Sequence, residues 1–221
     1  MNTACFIDGY NLYYGLLAGS AYKWLDLPAL VGEIVRVQQP SSVIVGITYF
    51  SAPVKAEIAT RGVAPLHNQT TYLRALRAHG VGVELGRHQL QPARAPRFVR
   101  GRAASRSDQV DIWKLEEKET DVNIAIAMYR AAAKNQVEQI VLLSADTDLA
   151  PALKAIREDF PDVVIGTVFP HKPMGGRPPP GSLTKHSHWT RHHIRDDELA
   201  ANQFGKMVAT RKKPAIKPEA W

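Results

Sequence analysis

The chain has a single cysteine among its 221 residues, which excludes an intramolecular disulfide and leaves a thiolate zinc site without enough ligands. Cys5 therefore reads as a small apolar core residue. Long hydrophobic runs are absent too. Nothing approaches the roughly 20 consecutive apolar residues of a membrane-spanning helix, and Asp8 cuts the apolar N-terminal stretch, with no cationic segment before it. The expectation is a cytoplasmic protein with no signal peptide and no membrane association. A glycine-rich turn is missing where a dinucleotide site needs one, because the first apolar run ends in Asp8-Gly9-Tyr10-Asn11. That argues against a standard pyrophosphate cradle. Acid is missing from one stretch, Arg87 to Ser107, which holds six arginines and no Asp or Glu.

What is present is enough apolar residue, 45%, to build one α/β domain of ordinary size plus an appendage. Lys and Arg number 28 against 21 Asp and Glu, giving a net charge of +7. A basic surface of this kind favours an anionic partner.

Hydrophobic patterning orders the chain. Ala4–Ile7 reads as a first strand that stops at Asp8-Gly9, followed by a short helix over Asn11–Leu17. Leu27, Leu30, Val31, Ile34 and Val35 recur at helical spacing, with Pro28 in the first turn and Gln39-Pro40 at the end. Ser42–Phe50 is almost wholly apolar and β-branched, the mark of a strand buried on both faces. A helix over 65–78, a strand over Val81–Leu85, a helix over 121–135, a strand over Ile140–Ser144, a helix over 149–160 and a strand over Val163–Val168 complete the series. The fold class this implies is α/β, with a mostly parallel five-stranded sheet flanked by helices. Residues 1–170 form the domain, and 171–221 form a Gly/Pro-rich, His-rich, basic extension with a short helix at 196–204. The tail from Arg211 to Trp221 is expected to pack loosely or not at all.

In open α/β sheets the ligand crevice lies beyond the carboxyl ends of the strands, near the switch in strand order. Asp8 follows the first strand and Asp146 the fourth; if those strands are neighbours, the two acids meet. Asp121 and Asp148, at starts of following helices, then close a group of four. Taken singly, Asp121 and Asp148 read as helix caps and Asp8 as a turn residue. Taken together, four gathered carboxylates repel unless a cation neutralises them. An all-oxygen ligand set suits Mg2+ or Mn2+, and phosphodiester hydrolysis is the chemistry such a site fits.

Three segments, Phe6-Ile7-Asp8-Gly9-Tyr10-Asn11-Leu12, Lys118-Glu119-Thr120-Asp121-Val122 and Ser144-Ala145-Asp146-Thr147-Asp148-Leu149, together resemble the NYN domain. This is a branch of the PIN-like nuclease superfamily that includes the LabA-type bacterial proteins. The likeness spans about residues 3–170, and Leu199-Ala200, Gln203 and Lys217–Trp221 resemble the closing segment of many bacterial members. The resemblance implies a PIN-like Rossmannoid fold, Mg2+ or Mn2+ held by Asp8, Asp121, Asp146 and Asp148, and RNA as the molecule cut. It also gives Asn11 the task of orienting Asp8 or a metal-bound water, beside its plain reading as a local cap. One departure stands out. Members often carry a further acid one and a half to two helical turns after the Asp121 position, where this chain has Met128, so the site is thinner or its chemistry has changed.

For substrate contacts, Arg94, Arg97, Arg100 and Arg102 are the candidate phosphate ligands, against the reading of a solvated loop. Tyr10, with Tyr13 and Tyr14, can stack on bases or pack. His186, His188, His192 and His193 have spacing compatible with a transition metal but read better as a flexible basic segment. Two alternatives to a ribonuclease stay open: a non-catalytic RNA-binding module, and a small-molecule enzyme such as an NADH-dependent oxidoreductase reusing the crevice. Oligomeric state is not readable, and a homodimer is open.

Overall fold

The computed structural model describes residues 1–56, 62–173 and 178–221; part of the Gly/Pro-rich stretch, 174–177, lies outside them. Strand β1 (Asn2–Asp8) leads into α1 (Gly9–Leu12), which continues as a π-helical turn, Tyr13–Leu17. Next come α2 (Leu27–Gln38), β2 (Val43–Ser51), α3 (Ala64–Ala78) and β3 (Gly82–Leu85). A hairpin of β4 (Arg87–Pro96) and β5 (Gln109–Lys118) then precedes α4 (Thr120–Ala133), β6 (Gln139–Leu143), α5 (Ala150–Asp159) and β7 (Val164–Val168). The C-terminal part adds α6 (Gly181–Thr184), β8 (Trp189–Arg191), α7 (Asp196–Ala201) and a small pair, β9 (Met207–Val208) with β10 (Ala215–Ile216).

Six strands form one sheet in the order β3-β2-β1-β6-β7-β8, and every neighbouring pair is parallel. The order reverses between β1 and β6, which places the switch point of the sheet at the ends of those two strands. Alternate residues of β1 serve opposite layers: Cys5 and Ile7 face the core under α2 and α3, while Phe6 faces the core under α4 and α5. Each fully buried Ile, Leu or Phe contributes about 1.5–3 kcal/mol, so the period-two pattern fixes the register of the central strand.

The α/β class and mostly parallel sheet agree with the sequence reading, and three details correct it. First, the sheet has six strands. The sixth, β8, comes from the His-rich segment, which is therefore not a flexible stretch. His188 accepts a hydrogen bond at Nδ1 from the Ile165 N–H (2.9 Å), and desolvation lowers its pKa, favouring the neutral ring. Trp189 lies flat over β7 because Gly166 has no side chain; a Cβ there would sit 2.1 Å from the indole. Second, β2 is buried only toward its end. Tyr49, Phe50 and Ser51 are buried, whereas Val43 and Val45 are exposed. The pairing jumps from Thr3↔Ile44 to Ala4↔Gly46, so Val45 is the extra residue of a β-bulge, which leaves it without a cross-strand place.

Third, the tail is packed. Ala215 is fully buried, and Trp221 meets the buried Trp24 edge to face with ring centroids 6.3 Å apart. Trp24 also donates to the Gly205 carbonyl (2.7 Å). Aromatic contacts far apart in sequence hold this end down, and no local pattern announces them.

Candidate metal centre

Three carboxylates meet at the switch point. Asp8 ends β1, Asp146 follows β6, and Asp121 sits in the first turn of α4; one ligand oxygen from each lies within 4.8 Å of the others. Among the described residues no other group of three or more His, Cys, Asp or Glu comes together in this way, and the histidines of 186–193 belong to no such group. Asp148 stands just outside, exposed in the 3-10 turn Thr147–Leu149, with its N–H donating to Asp146 Oδ1 (3.0 Å).

The capping roles fall on different acids from those the sequence suggested. Asp8 is the N-cap of α1, accepting from the Asn11 N–H (2.9 Å), and Asp146 caps the 3-10 turn. Asp121 is not a cap, because Glu119 occupies that position in a left-handed conformation (φ 80°) and makes no side-chain cap bond. Capping therefore orients two of the cluster's acids and leaves the third free of that duty.

Electrostatics mark the group as crowded. Burial raises the pKa of Asp8, and the charge of Asp146 adds to this, while hydrogen bonds from the Asn11 N–H, Ser144 and the Asn11 side chain oppose it. Asp121 is pushed up to about 6 by desolvation and then by the charges of Asp146, Asp8, Glu117 and Asp148. No Lys or Arg is among the groups that set either shift. Uncompensated like charges at this spacing can hold a divalent cation.

Ser144 and Glu117 carry roles that the sequence reading did not give them. The buried Ser144 hydroxyl donates to Asp8 Oδ2 (2.8 Å) and accepts from the Asp146 N–H (3.0 Å), so one side chain fixes both acids. Asn11 completes the frame: its Oδ1 accepts from the Ala145 N–H (3.1 Å), tying the end of β1 to the end of β6. Gly9 permits close approach to β2 here, since a Cβ would lie 2.4 Å from the Tyr49 ring and 2.6 Å from the Phe50 carbonyl oxygen. The signal for Ser144 was its place one residue beyond an apolar strand and two before Asp146.

Glu117 comes from β5, accepts from the Thr120 hydroxyl, and has its pKa raised by burial and by Asp8. Its cross-strand partner is His88. In its neutral form His88 donates from Nδ1 to the Pro53 carbonyl (2.8 Å) and accepts at Nε2 from the Tyr10 hydroxyl (2.8 Å). The base of the hairpin is thus clamped to the start of α1, with an acid turned toward the cluster. Met128, at the position where a further acid is common in the family it resembles, is fully buried in the core beneath α4.

Beside the cluster a cleft of about 520 Å³ opens between Tyr10, Asn11 and Tyr14 on one side and Ala145, His171 and Pro178 on the other. Tyr14 is exposed and Tyr10 half-buried. The arginines lie elsewhere. Arg94 pairs with Asp111 (3.5 Å) and Arg97 with Asp108 (3.3 Å), while Arg100 and Arg102 sit in the turn between β4 and β5. At about 3.4 Å per residue, Arg94 is roughly 20 Å along the hairpin from its base.

The pattern of the family described as NYN domain matches residues 2–174. The chain is 36% identical to the 6-hydroxy-3-succinoylpyridine 3-monooxygenase HspA of Pseudomonas putida (strain DSM 28022 / S16) along an alignment of 252 positions, covering 100% of this chain and 75% of that protein. A crystal structure of a protein of unknown function from Vibrio parahaemolyticus RIMD 2210633 superposes with a TM-score of 0.50 at 16% identity, covering 89% of this chain and 94% of that one. That likeness supports the fold alone. No described helix is long and apolar enough to cross a membrane.

Proposed function

This chain belongs to the NYN domain family, and from that premise we propose that it is a divalent-metal-dependent ribonuclease cutting phosphodiester bonds at the Asp8, Asp121 and Asp146 cluster. The observation that carries the reading is the gathering of three carboxylate oxygens within 4.8 Å, with no Lys or Arg among the groups that shift Asp8 or Asp121. The donor set is all oxygen, which fits Mg2+ or Mn2+. When bound, such an ion supplies Lewis acidity toward phosphate oxygens and lowers the pKa of water.

The chain's own residues do the remaining work. Ser144 and Asn11 hold Asp8 in one orientation, and the Asp148 N–H holds Asp146. Asp148 and Glu117 extend the negative field that draws the cation. Tyr10 and Tyr14 line the cleft where a nucleotide beside the scissile bond would lie, and Arg94, Arg97, Arg100 and Arg102 contact phosphates farther along. Asp146→Asn is expected to abolish cleavage of an oligoribonucleotide in Mn2+ while thermal unfolding without metal stays cooperative; undiminished cutting by the variant would remove the assignment.

One observation favours a second reading. The relationship to a protein named as a 3-monooxygenase of a hydroxypyridine supports an oxidoreductase in which the cleft takes a planar ring, O2 supplies one oxygen atom to it and leaves the other as water, and NADH supplies the two electrons. Against it stands the Asp8-Gly9-Tyr10-Asn11 turn, which has no glycine-rich pyrophosphate cradle. NADH oxidation dependent on 6-hydroxy-3-succinoylpyridine, with no RNA cleavage in Mn2+, would put this reading first. RNA binding without turnover would instead make the protein a binding module.

A further inference from the structure

The β4–β5 hairpin stands apart from the main sheet as a separate two-stranded ribbon. Its register is unbroken for ten pairs, from Arg87↔Lys118 to Pro96↔Gln109. Side chains alternate between its faces, so the face that presents His88 to Tyr10 and Glu117 toward Asp8 also carries Leu90 with Leu115, Pro92 with Trp113, and Arg94 with Asp111. Along this face, then, an acidic base gives way to an apolar step, an indole and a guanidinium.

Two features of the hairpin are unusual for a solvent-exposed ribbon. Trp113 is 70% exposed, and Phe98 in the turn is 91% exposed. Large aromatic surface left in water contributes little to the fold and marks a place where something flat can lie. Charge indicates what that is. Residues 87–118 hold eight Lys and Arg against four Asp and Glu, a net +4 of the whole chain's +7. An apolar protein surface would gain nothing from that excess, whereas a chain of phosphates carrying unstacked bases matches both the charge and the ring.

We propose that the hairpin is a binding arm for single-stranded nucleic acid, with Trp113 as a base-stacking platform and Arg94 and the arginines of the turn as phosphate contacts. Trp113 is four residues from Glu117, about 14 Å at 3.4 Å per residue, so it takes a nucleotide a few positions from the cleft. This rests on the proposed function only for the identity of the polymer. The arm binds whether or not the cluster cuts. A duplex keeps its bases stacked on one another and offers Trp113 no free face.

The test uses the full chain without divalent metal, measuring the affinity of a labelled unpaired oligoribonucleotide of 16 residues, a tetranucleotide and a 16-base-pair RNA duplex. One stacked base is worth about 1–3 kcal/mol, so Trp113→Ala is expected to weaken the 16-mer roughly 5- to 150-fold, to weaken the tetranucleotide as well, and to leave the duplex unchanged. Trp113→Phe should retain most of the affinity. Circular dichroism verifies that both variants are folded. Equal 16-mer affinity in wild type and Trp113→Ala would overturn the proposal, as would equal losses for 16-mer and duplex. So would a concentration-dependent dimer that Trp113→Ala abolishes while RNA binding is untouched, since the face would then serve a second copy of this chain. Cleavage in Mn2+ is scored separately: Trp113-dependent binding without any cutting leaves the arm and removes the nuclease, and cutting with Trp113-independent binding does the reverse.

Discussion

The strand-end cluster and the β4–β5 hairpin are opposites in almost every physical respect. Asp8 is 3% exposed and Ser144 fully buried, each held by hydrogen bonds from elements on both sides of the switch point. Along the hairpin, Arg94 and Asp111 are 68% and 92% exposed and their ion pair spans 3.5 Å. One region is acidic, rigid and anchored in two hydrophobic layers; the other is basic, exposed and supported chiefly by its own ladder. The proposed chemistry, which needs fixed geometry, suits the first, and the proposed recognition of a flexible polyanion, which needs charge and ring surface more than precision, suits the second.

The largest expected effect breaks the comparison at its rigid end. Asp8→Asn removes one of three clustered carboxylates while keeping size and shape, so cleavage should fall by at least about 1,000-fold. The stabilisation by Mn2+ should vanish with it. At 100 times its dissociation constant an ion adds about 2.7 kcal/mol, or roughly 5–10 °C for a chain of this size. Differential scanning fluorimetry with and without Mn2+ reads this directly; an undiminished shift in the variant would place the ion elsewhere.

Ser144→Ala asks whether rigidity, and not charge alone, distinguishes the cluster. No carboxylate is lost, but Asp8 loses a donor and the Asp146 N–H an acceptor. Supporting hydrogen bonds of this kind are worth about 10- to 100-fold in metal affinity. A titration of Mn2+ by calorimetry should show that loss, with partial recovery in Ser144→Thr. The matching change in the hairpin, Ser107→Ala, should leave Mn2+ affinity unchanged.

How much of this contrast the sequence carries depends on whether the information is local. Asp8 and Asp146 are legible because apolar, β-branched runs stop at them, and a parallel sheet puts such ends on one edge. Asp121 is legible as the acid opening a helix. Glu117 is not, because it joins the carboxylates only when a ribbon some thirty residues long folds back and His88 meets Tyr10. Strand β8 escaped for the same reason: three residues in a histidine-rich stretch have no period, and their pairing depends on the bare surface of Gly166. The exposed start of β2 was misread because a bulge at Val45 leaves no mark in composition, and the packed tail because Trp24 and Trp221 are 197 positions apart.

Acid should weaken the cluster more than the arm. The folded-state pKa of Asp121 lies at about 6, above its ordinary value of 3.8. The sign follows: protonation favours the metal-free fold, so this group's contribution to stability is full below about pH 4 and is lost as pH rises through 6. Metal binding requires the ionised form and runs the other way. Between pH 7.5 and 5.5 the ionised fraction of Asp121 alone falls about fourfold, and Mn2+ affinity should fall at least as far. RNA affinity of the metal-free arm, carried by Arg and Trp, should change little over that range. A Mn2+ affinity independent of pH would show that Asp121 is not a ligand.

The smallest effect is the most discriminating for the hairpin. Arg94→Gln breaks an ion pair in which both partners are mostly in water, and such pairs contribute about 0–1 kcal/mol. Thermal unfolding should therefore be almost unchanged, unlike any substitution among the buried groups of the cluster. If Arg94 contacts a phosphate, fewer counterions are released on binding, and the slope of log affinity against log salt should drop by about 0.7 for single-stranded RNA of any sequence. Loss of Asp111 by Asp111→Asn should act in the opposite direction, freeing the guanidinium and removing a repelling charge, so affinity rises. Opposite signs for two substitutions on one ion pair, with stability unmoved by both, separate a surface built to meet phosphate from one that merely holds its own strands together.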